Sequence, residues 1–136
     1  GGALYFTGRP EATHPPKGGY KMKISEVIRI LSAEVIWGDE QLCEREVQNA
    51  CGSDLMSDVL AYVKDQSLLT GLVNPQVIRT AEMMDFLCIA FVRGKRPDDA
   101  MIRLASEYNI VLIRTEERMF SACGKLYAAG LDGSGL

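Results

Sequence analysis

The stretch from Asp85 to Arg114 restricts the possible folds more than any other part of the chain. Phe86-Leu87-Cys88-Ile89-Ala90-Phe91-Val92 is an unbroken apolar run of strand length, the pattern of a strand covered on both faces. Arg93-Gly94-Lys95-Arg96 breaks that run. Pro97, Asp98 and Asp99 then suit a first helical turn, because proline presets φ and acids favour the positive end of the helix dipole. Met101, Leu104, Ala105 and Tyr108 recur at the spacing of one buried helix face, and Asn109 is a fair left-handed terminator. Ile110-Val111-Leu112-Ile113 reads as a second buried strand. Two strands joined through a helix in this way form a parallel pair with a right-handed crossover.

The same alternation extends upstream. Ile24 to Leu31 reads as a short amphipathic helix, Ala33 to Trp37 as a strand, and Val47 to Cys51 as a second short strand. The acidic segment from Asp39 to Glu46 between them reads as a solvated edge. Ser53 or Asp54 should cap a helix with Leu55, Met56, Val59, Leu60 and Val63 inward. Ser67 to Leu72 is a third strand, and Asn74-Pro75 opens a helix from Gln76 to Met84. Thr115 should cap a last helix that carries Met119, Phe120, Cys123, Leu126 and Tyr127 and ends at Gly130. The expected fold is therefore α/β: a single domain over 22–131 with a mostly parallel central sheet and helices on both faces. Residues 1–21, rich in Gly and Pro and without periodicity, read as a flexible tail. Met22 would be a natural first residue, so much of that tail reads as an added leader or upstream readthrough. Residues 132–136 should fray.

Composition excludes several classes of function. With 136 residues the chain suffices for one domain with a sizeable core. A formal net charge of −3 argues against broad nucleic-acid binding. No apolar run approaches the ~20 residues of a membrane helix. No charged-then-apolar leader is seen, so a cytoplasmic location is expected. The four cysteines, Cys43, Cys51, Cys88 and Cys123, contain no C-x-x-C pair and read as reduced thiols. His14, the single histidine, falls in the tail, so a Cys-His or Ser-His nucleophile pair is not expected. No metal, cofactor or catalytic residue is assigned.

Ligands of open α/β sheets favour the crevice beyond the carboxyl ends of the parallel strands. Three connections should meet there: 70–74, 93–97 and 114–116. They bring Arg93, Lys95 and Arg96, the permissive Gly94, the hydroxyls of Thr70 and Thr115, and the carboxamide of Asn74. Such a set suits a phosphate or carboxylate. The bland alternative is a solvated basic turn beside Asp98 and Asp99. Asp54, Ser57 and Asp58 lie within about one helical turn; a hard cation could use the two carboxylates, but helix capping and dipole compensation are the simpler reading. Asp54 and Ser57 are kept as members of the candidate ligand site. On the last helix, Cys123-Gly124 reads either as a redox thiol or as a point of close helix approach, with packing the simpler reading. That helix is apolar over a broader arc than one sheet face requires, which points to a homodimer.

Several segments, taken in order, resemble the DRTGG domain family: SDLMSDVLAYV at 53–63, LLTGLVNPQVIRTAEMMD at 68–85, FVRGKRPDD at 91–99 and CGKLYAAGL at 123–131. The likeness runs from about Met22 to Leu131 and is nearest to small stand-alone members related to the accessory N-terminal domain of HPr serine kinase. It implies an α/β domain that usually dimerises and has no agreed activity. Relatives are fused to phosphotransacetylases and to regulatory pyrophosphatases with nucleotide-binding modules, and stand-alone forms often accompany hydrogenase or redox genes. The name-giving motif is absent. Val73-Asn74 stands where relatives carry Asp-Arg, and Val92-Arg93-Gly94 stands in the Thr-Gly-Gly stretch. With no G-x-x-x-x-G-K-[ST] loop, kinase activity is not implied. The expected function is a non-catalytic regulatory or ligand-binding homodimer that senses a phosphorylated or anionic metabolite. The alternatives are a small enzyme on a phosphorylated or acyl substrate, or a docking subunit for a redox or hydrogenase-associated protein.

Overall fold

In the computed structural model, residues 20–60 and 66–131 are described. The elements are β1 (Met22–Lys23), α1 (Ile24–Ile30), β2 (Glu34–Trp37), α2 (Glu40–Cys43), β3 (Glu46–Val47), β4 (Asn49–Gly52), α3 (Met56–Val59), β5 (Gln66–Thr70), α4 (Pro75–Met83), β6 (Cys88–Phe91), α5 (Asp99–Tyr108), β7 (Val111–Arg114) and α6 (Met119–Ala128). Five strands form one sheet in the order β2-β7-β6-β5-β4. Pairs β4–β5, β5–β6 and β6–β7 are parallel, and β2 closes one edge antiparallel to β7. The unit read from Asp85 to Arg114 is thus the centre of the sheet.

Alternation along each strand builds two cores. Leu69, Cys88, Ala90, Val111 and Ile113 face one side, where α1 supplies Ile24 and Val27 and α6 supplies Ala122 and Leu126. Leu68, Ile89, Phe91 and Leu112 face the other, against Val59 of α3, Val77, Ile78 and Ala81 of α4, and Met101 and Ala105 of α5. Helices therefore cover both faces, which is why β6 is apolar at every position and β5 and β7 carry consecutive apolar residues at Leu68-Leu69 and Val111-Leu112-Ile113.

Several local expectations shift. The segment from Asp39 to Glu46 is not simply a solvated edge: Asp39 accepts from Leu42 N at 2.8 Å and caps α2, Cys43 is buried, and Glu46-Val47 pairs with Met22-Lys23 in a two-stranded ribbon. Elements this short carry little periodicity and form because the core beneath them demands a lid. Neither Ser53 nor Asp54 caps the next helix; α3 begins after Leu55, and Leu55 (63% exposed) and Leu60 (49%) point outward while Met56 and Val59 are buried. Thr115 does not cap α6, which starts after Arg118. On α5, Asp98 is the cap, its Oδ1 accepting from Met101 N at 2.9 Å, and Asn109 ends the helix at φ 56° as expected. Met101 and Ala105 are buried, whereas Leu104 is half-buried and Tyr108 is 41% exposed. Tyr108 lies in the last turn, where the helix overruns the amino end of the sheet beside Phe86, Leu87 and Ile110.

Tyr20, placed by the sequence in the tail, packs its ring against Gly130. The remaining expectations for the tail, for Val63 and for 132–136 fall outside the described residues. Among the described residues no helix is long and apolar enough to cross a membrane.

Candidate functional site at the sheet crest

Parallel pairing brings Gly52, Thr70, Phe91 and Arg114, the last residues of β4 to β7, to one edge of the sheet. The connections that leave this crest carry most of the candidate ligand residues. The β5–α4 loop is tied from two sides. Asp54 Oδ1 accepts from Gly71 N at 2.7 Å and from Thr70 Oγ1 at 3.2 Å, and Thr70 Oγ1 accepts from Leu72 N at 3.0 Å. Asp54 is therefore no helix cap but a clasp between the β4–α3 and β5–α4 loops. Asn74 accepts from Gln76 N at 2.9 Å and caps α4, with Pro75 in the first turn. Ser57 is exposed on α3.

The β6–α5 loop turns sharply. Arg93 and Gly94 both take left-handed backbone angles, φ 56° and 67°. Arg93 N donates to Glu117 O and Gly94 N to Thr115 O, each at 2.8 Å, and Lys95 N donates to Val92 O at 3.2 Å. Three amides that could have formed an anion nest are thus spent on the protein itself. Of the described non-glycine residues with positive φ, which are Ser32, Asp85, Arg93 and Asn109, Arg93 has the longest side chain. Holding an L-residue there costs on the order of 1 kcal/mol. The Arg93 guanidinium lies over Gly71: a Cβ at residue 71 would stand 2.5 Å from Nη2. Glycine at 71 leaves room for the guanidinium in this position.

The basic residues divide into two groups. Arg96 donates to both oxygens of Glu34, at 2.9 and 3.0 Å. Arg114 reaches Glu34 at 3.2 Å, Glu116 at 2.8 Å and the carbonyl of Gly94 at 2.9 Å, so it pins the turn. Arg93 and Lys95 are exposed and form no ion pair with a described residue. They are the crest charges available to an incoming anion. Thr115 is buried, donates to Leu31 O at 2.8 Å and accepts from Glu117 N at 3.1 Å, which commits its hydroxyl to the fold. Sequence reasoning overlooked Gly71, Glu34 and Arg114. The G in LLTG was a signal for the first; the two ion-pair partners lie 80 residues apart and had none.

The cysteines belong to the packing. Burial, with a further contribution from the neighbouring Cys43, pushes the Cys88 thiol from 9.0 to about 12, and burial does the same to Cys51. Burial also raises Cys123, whose Sγ lies 3.7 Å from Met119 Sδ. Close approach at this point depends on Gly52 of β4, where a Cβ would stand 2.7 Å from Cys123 Sγ, and not on Gly124, whose Cβ would meet nothing. Together Gly52, Ala50, Leu69, Leu126 and Tyr127 help line an apolar cavity of about 110 Å³. Because the folded pKa of Cys51 and Cys88 is raised, the stability they contribute is complete below about pH 9 and lost as pH rises towards 12. Thermal melts at pH 8, 9 and 10 should show this decline, and Cys88→Ala should make it shallower; an unchanged slope would mean that Cys88 ionises freely in the folded chain.

The fold has a solved counterpart. A crystal structure of the CBS and DRTGG domains of the regulatory region of Clostridium perfringens pyrophosphatase, complexed with its activator diadenosine tetraphosphate, superposes with a TM-score of 0.62 at 16% identity. The match covers 79% of this chain and 46% of that one. This chain has a fold like that found in a CBS- and DRTGG-containing region. No family model matches the sequence, and no curated protein matches it.

Proposed function

We propose that this chain is a DRTGG-type regulatory domain that binds a phosphorylated or otherwise anionic metabolite at the crest and works as a homodimer. One observation carries the reading: Arg93 is held in a left-handed turn, laid over Gly71 at the carboxyl ends of the parallel strands, with no carboxylate of the described residues in ion-pair reach. Backbone strain accompanied by an unpaired cation at a sheet crest is the arrangement expected of a binding position rather than of a solvated turn. Lys95, two residues on, adds a second positive charge. The four segments that resemble the DRTGG family and the fold likeness to a regulatory region with a nucleotide activator both support this reading. Titrating phosphorylated metabolites while following backbone amides tests it. Shifts at Gly71 and 93–95 are expected, and silent amides across the panel would overturn it.

The homodimer is supported by α6, which exposes Phe120 (79%) and Tyr127 (58%) beside β4, the strand at one end of the sheet. Sedimentation at micromolar concentration should give twice the 15.0 kDa chain mass, and a single monomeric species would refute it. A redox or hydrogenase-associated partner would compete for the same face. The enzymatic alternative draws on Asp54, which stands within hydrogen-bond reach of Thr70 and Gly71. Turnover of a phosphorylated or acyl compound during the titration, lost in Asp54→Asn, would favour it.

A further inference from the structure

The outer flank of α6 carries both a protruding ring and a hollow that can receive one. Phe120 and Tyr127 are seven residues apart, almost two full turns, so they lie on one stripe about 10 Å long, and both are exposed. Gly124 falls between them, exposed, and a Cβ there would meet nothing within the chain. A glycine inside a helix costs stability relative to alanine, and no contact in the protomer asks for this one. On the same flank lies the apolar cavity of about 110 Å³ between α6 and the edge strand β4, walled by Ala50, Leu69, Cys123 and Leu126. Its rim includes Gly52 and Tyr127, both exposed, so it reaches the surface beside β4. Closed apolar cavities of about 150 Å³ hold benzene, so an open one of this size accepts a phenyl ring inserted edge-first. Phe120 of the same chain stays outside it.

We propose that two copies of the chain pair through α6, each seating its Phe120 ring in the other's cavity. A twofold axis through the midpoint of the stripe, between Cys123 and Gly124, sets the two helices antiparallel. Phe120 then stands opposite the partner's Tyr127, at the rim of the partner's cavity. Gly124 sits at the axis, where the absence of a side chain lets the two backbones approach. The stripe of Phe120, Gly124 and Tyr127 carries no formal charge to repel its copy, and Lys125, the one charged residue of α6, is held by Glu117. Each copy thereby completes a site that the other leaves open. This inference rests on the homodimer reading above and names the contact that makes it.

The test is sedimentation of the full chain at micromolar concentration, with Phe120→Ala to remove the protruding ring and Ala50→Leu to fill the cavity. Each variant alone should raise the dimer dissociation constant at least about 100-fold, because two rings are lost or excluded and each buried ring is worth roughly 10-fold or more. A 1:1 mixture of the two variants should form more dimer than either alone, since the ring of one still fits the open cavity of the other. Phe120 is exposed in the protomer, so urea denaturation of Phe120→Ala at a concentration where wild type is monomeric should match wild type. Gly124→Leu, whose side chain meets nothing within the chain, should also shift the protein to monomer while leaving the protomer folded, and it replaces Ala50→Leu as the blocking variant if that one unfolds. A dimer that survives Phe120→Ala or Gly124→Leu would overturn the inference and move the homodimer to another face. So would a mixture of two folded variants no more dimeric than its components. A wild-type chain that is monomeric throughout would overturn both this inference and the homodimer.

Discussion

Phe91→Ala should destabilise the domain by about 3–5 kcal/mol, the largest loss expected from a single truncation here. Phe91 is the last residue of the central strand β6, wholly buried among Ile89, Leu112 and Met101 on the face covered by α4 and α5. It pairs in register with Thr70 on one side and Arg114 on the other. Deleting the ring opens a cavity directly beneath the crest, and the surrounding strands cannot close it because their hydrogen bonds fix their spacing. Urea denaturation measures the loss. A cost below about 1 kcal/mol would mean that this face is not packed as described. The same variant should also weaken ligand binding, since the amide of Val92 hydrogen-bonds to Thr70 O at 3.0 Å and so ties the β6–α5 turn to β5.

Arg93→Gly should separate stability from binding. Glycine adopts the φ of 56° without steric cost, so the fold should keep its stability or gain up to about 1 kcal/mol. The turn should persist, because Gly94 N, Lys95 N and the amide at 93 retain their carbonyl partners at Thr115, Val92 and Glu117. Binding of a phosphorylated ligand should fall by on the order of 10- to 100-fold, the value of one charge-assisted hydrogen bond to phosphate. The positive φ of Arg93, where glycine would be more comfortable, is the reason this position is proposed to serve through its side chain. Chemical denaturation and calorimetry on the same preparation decide the matter. Unchanged affinity would remove Arg93 from the site, and a clear loss of stability would show that its cover over Gly71 is structural.

The central unit was legible in the sequence because its signals are long and local. Seven apolar residues in succession, a proline followed by two acids, and an asparagine at a helix end each have few alternative readings. They were enough to set the parallel order of β5, β6 and β7, to put helices on both faces, and to bring the 70–74 and 93–97 loops to one edge. Asn74 and Asn109 could likewise be read as caps from their neighbours alone. What the sequence did not contain is how the polar atoms at that edge are shared. Asp54 and Ser57 read as helix caps because capping is the local option for such residues; only when β4 lies beside β5 does Asp54 find Gly71 and Thr70, 17 and 16 residues away. Thr115 reads as a crest hydroxyl until α1 delivers the carbonyl of Leu31 from 84 residues upstream. Arg96 belonged with Arg93 and Lys95 by position, but the antiparallel edge strand β2 brings Glu34 to it and divides the basic run into paired and unpaired charges. Local periodicity sets the scaffold, because burial depends on neighbours a few residues away; which crest charges are paired among the described residues depends on long-range partners, and only the tertiary structure assigns those partners.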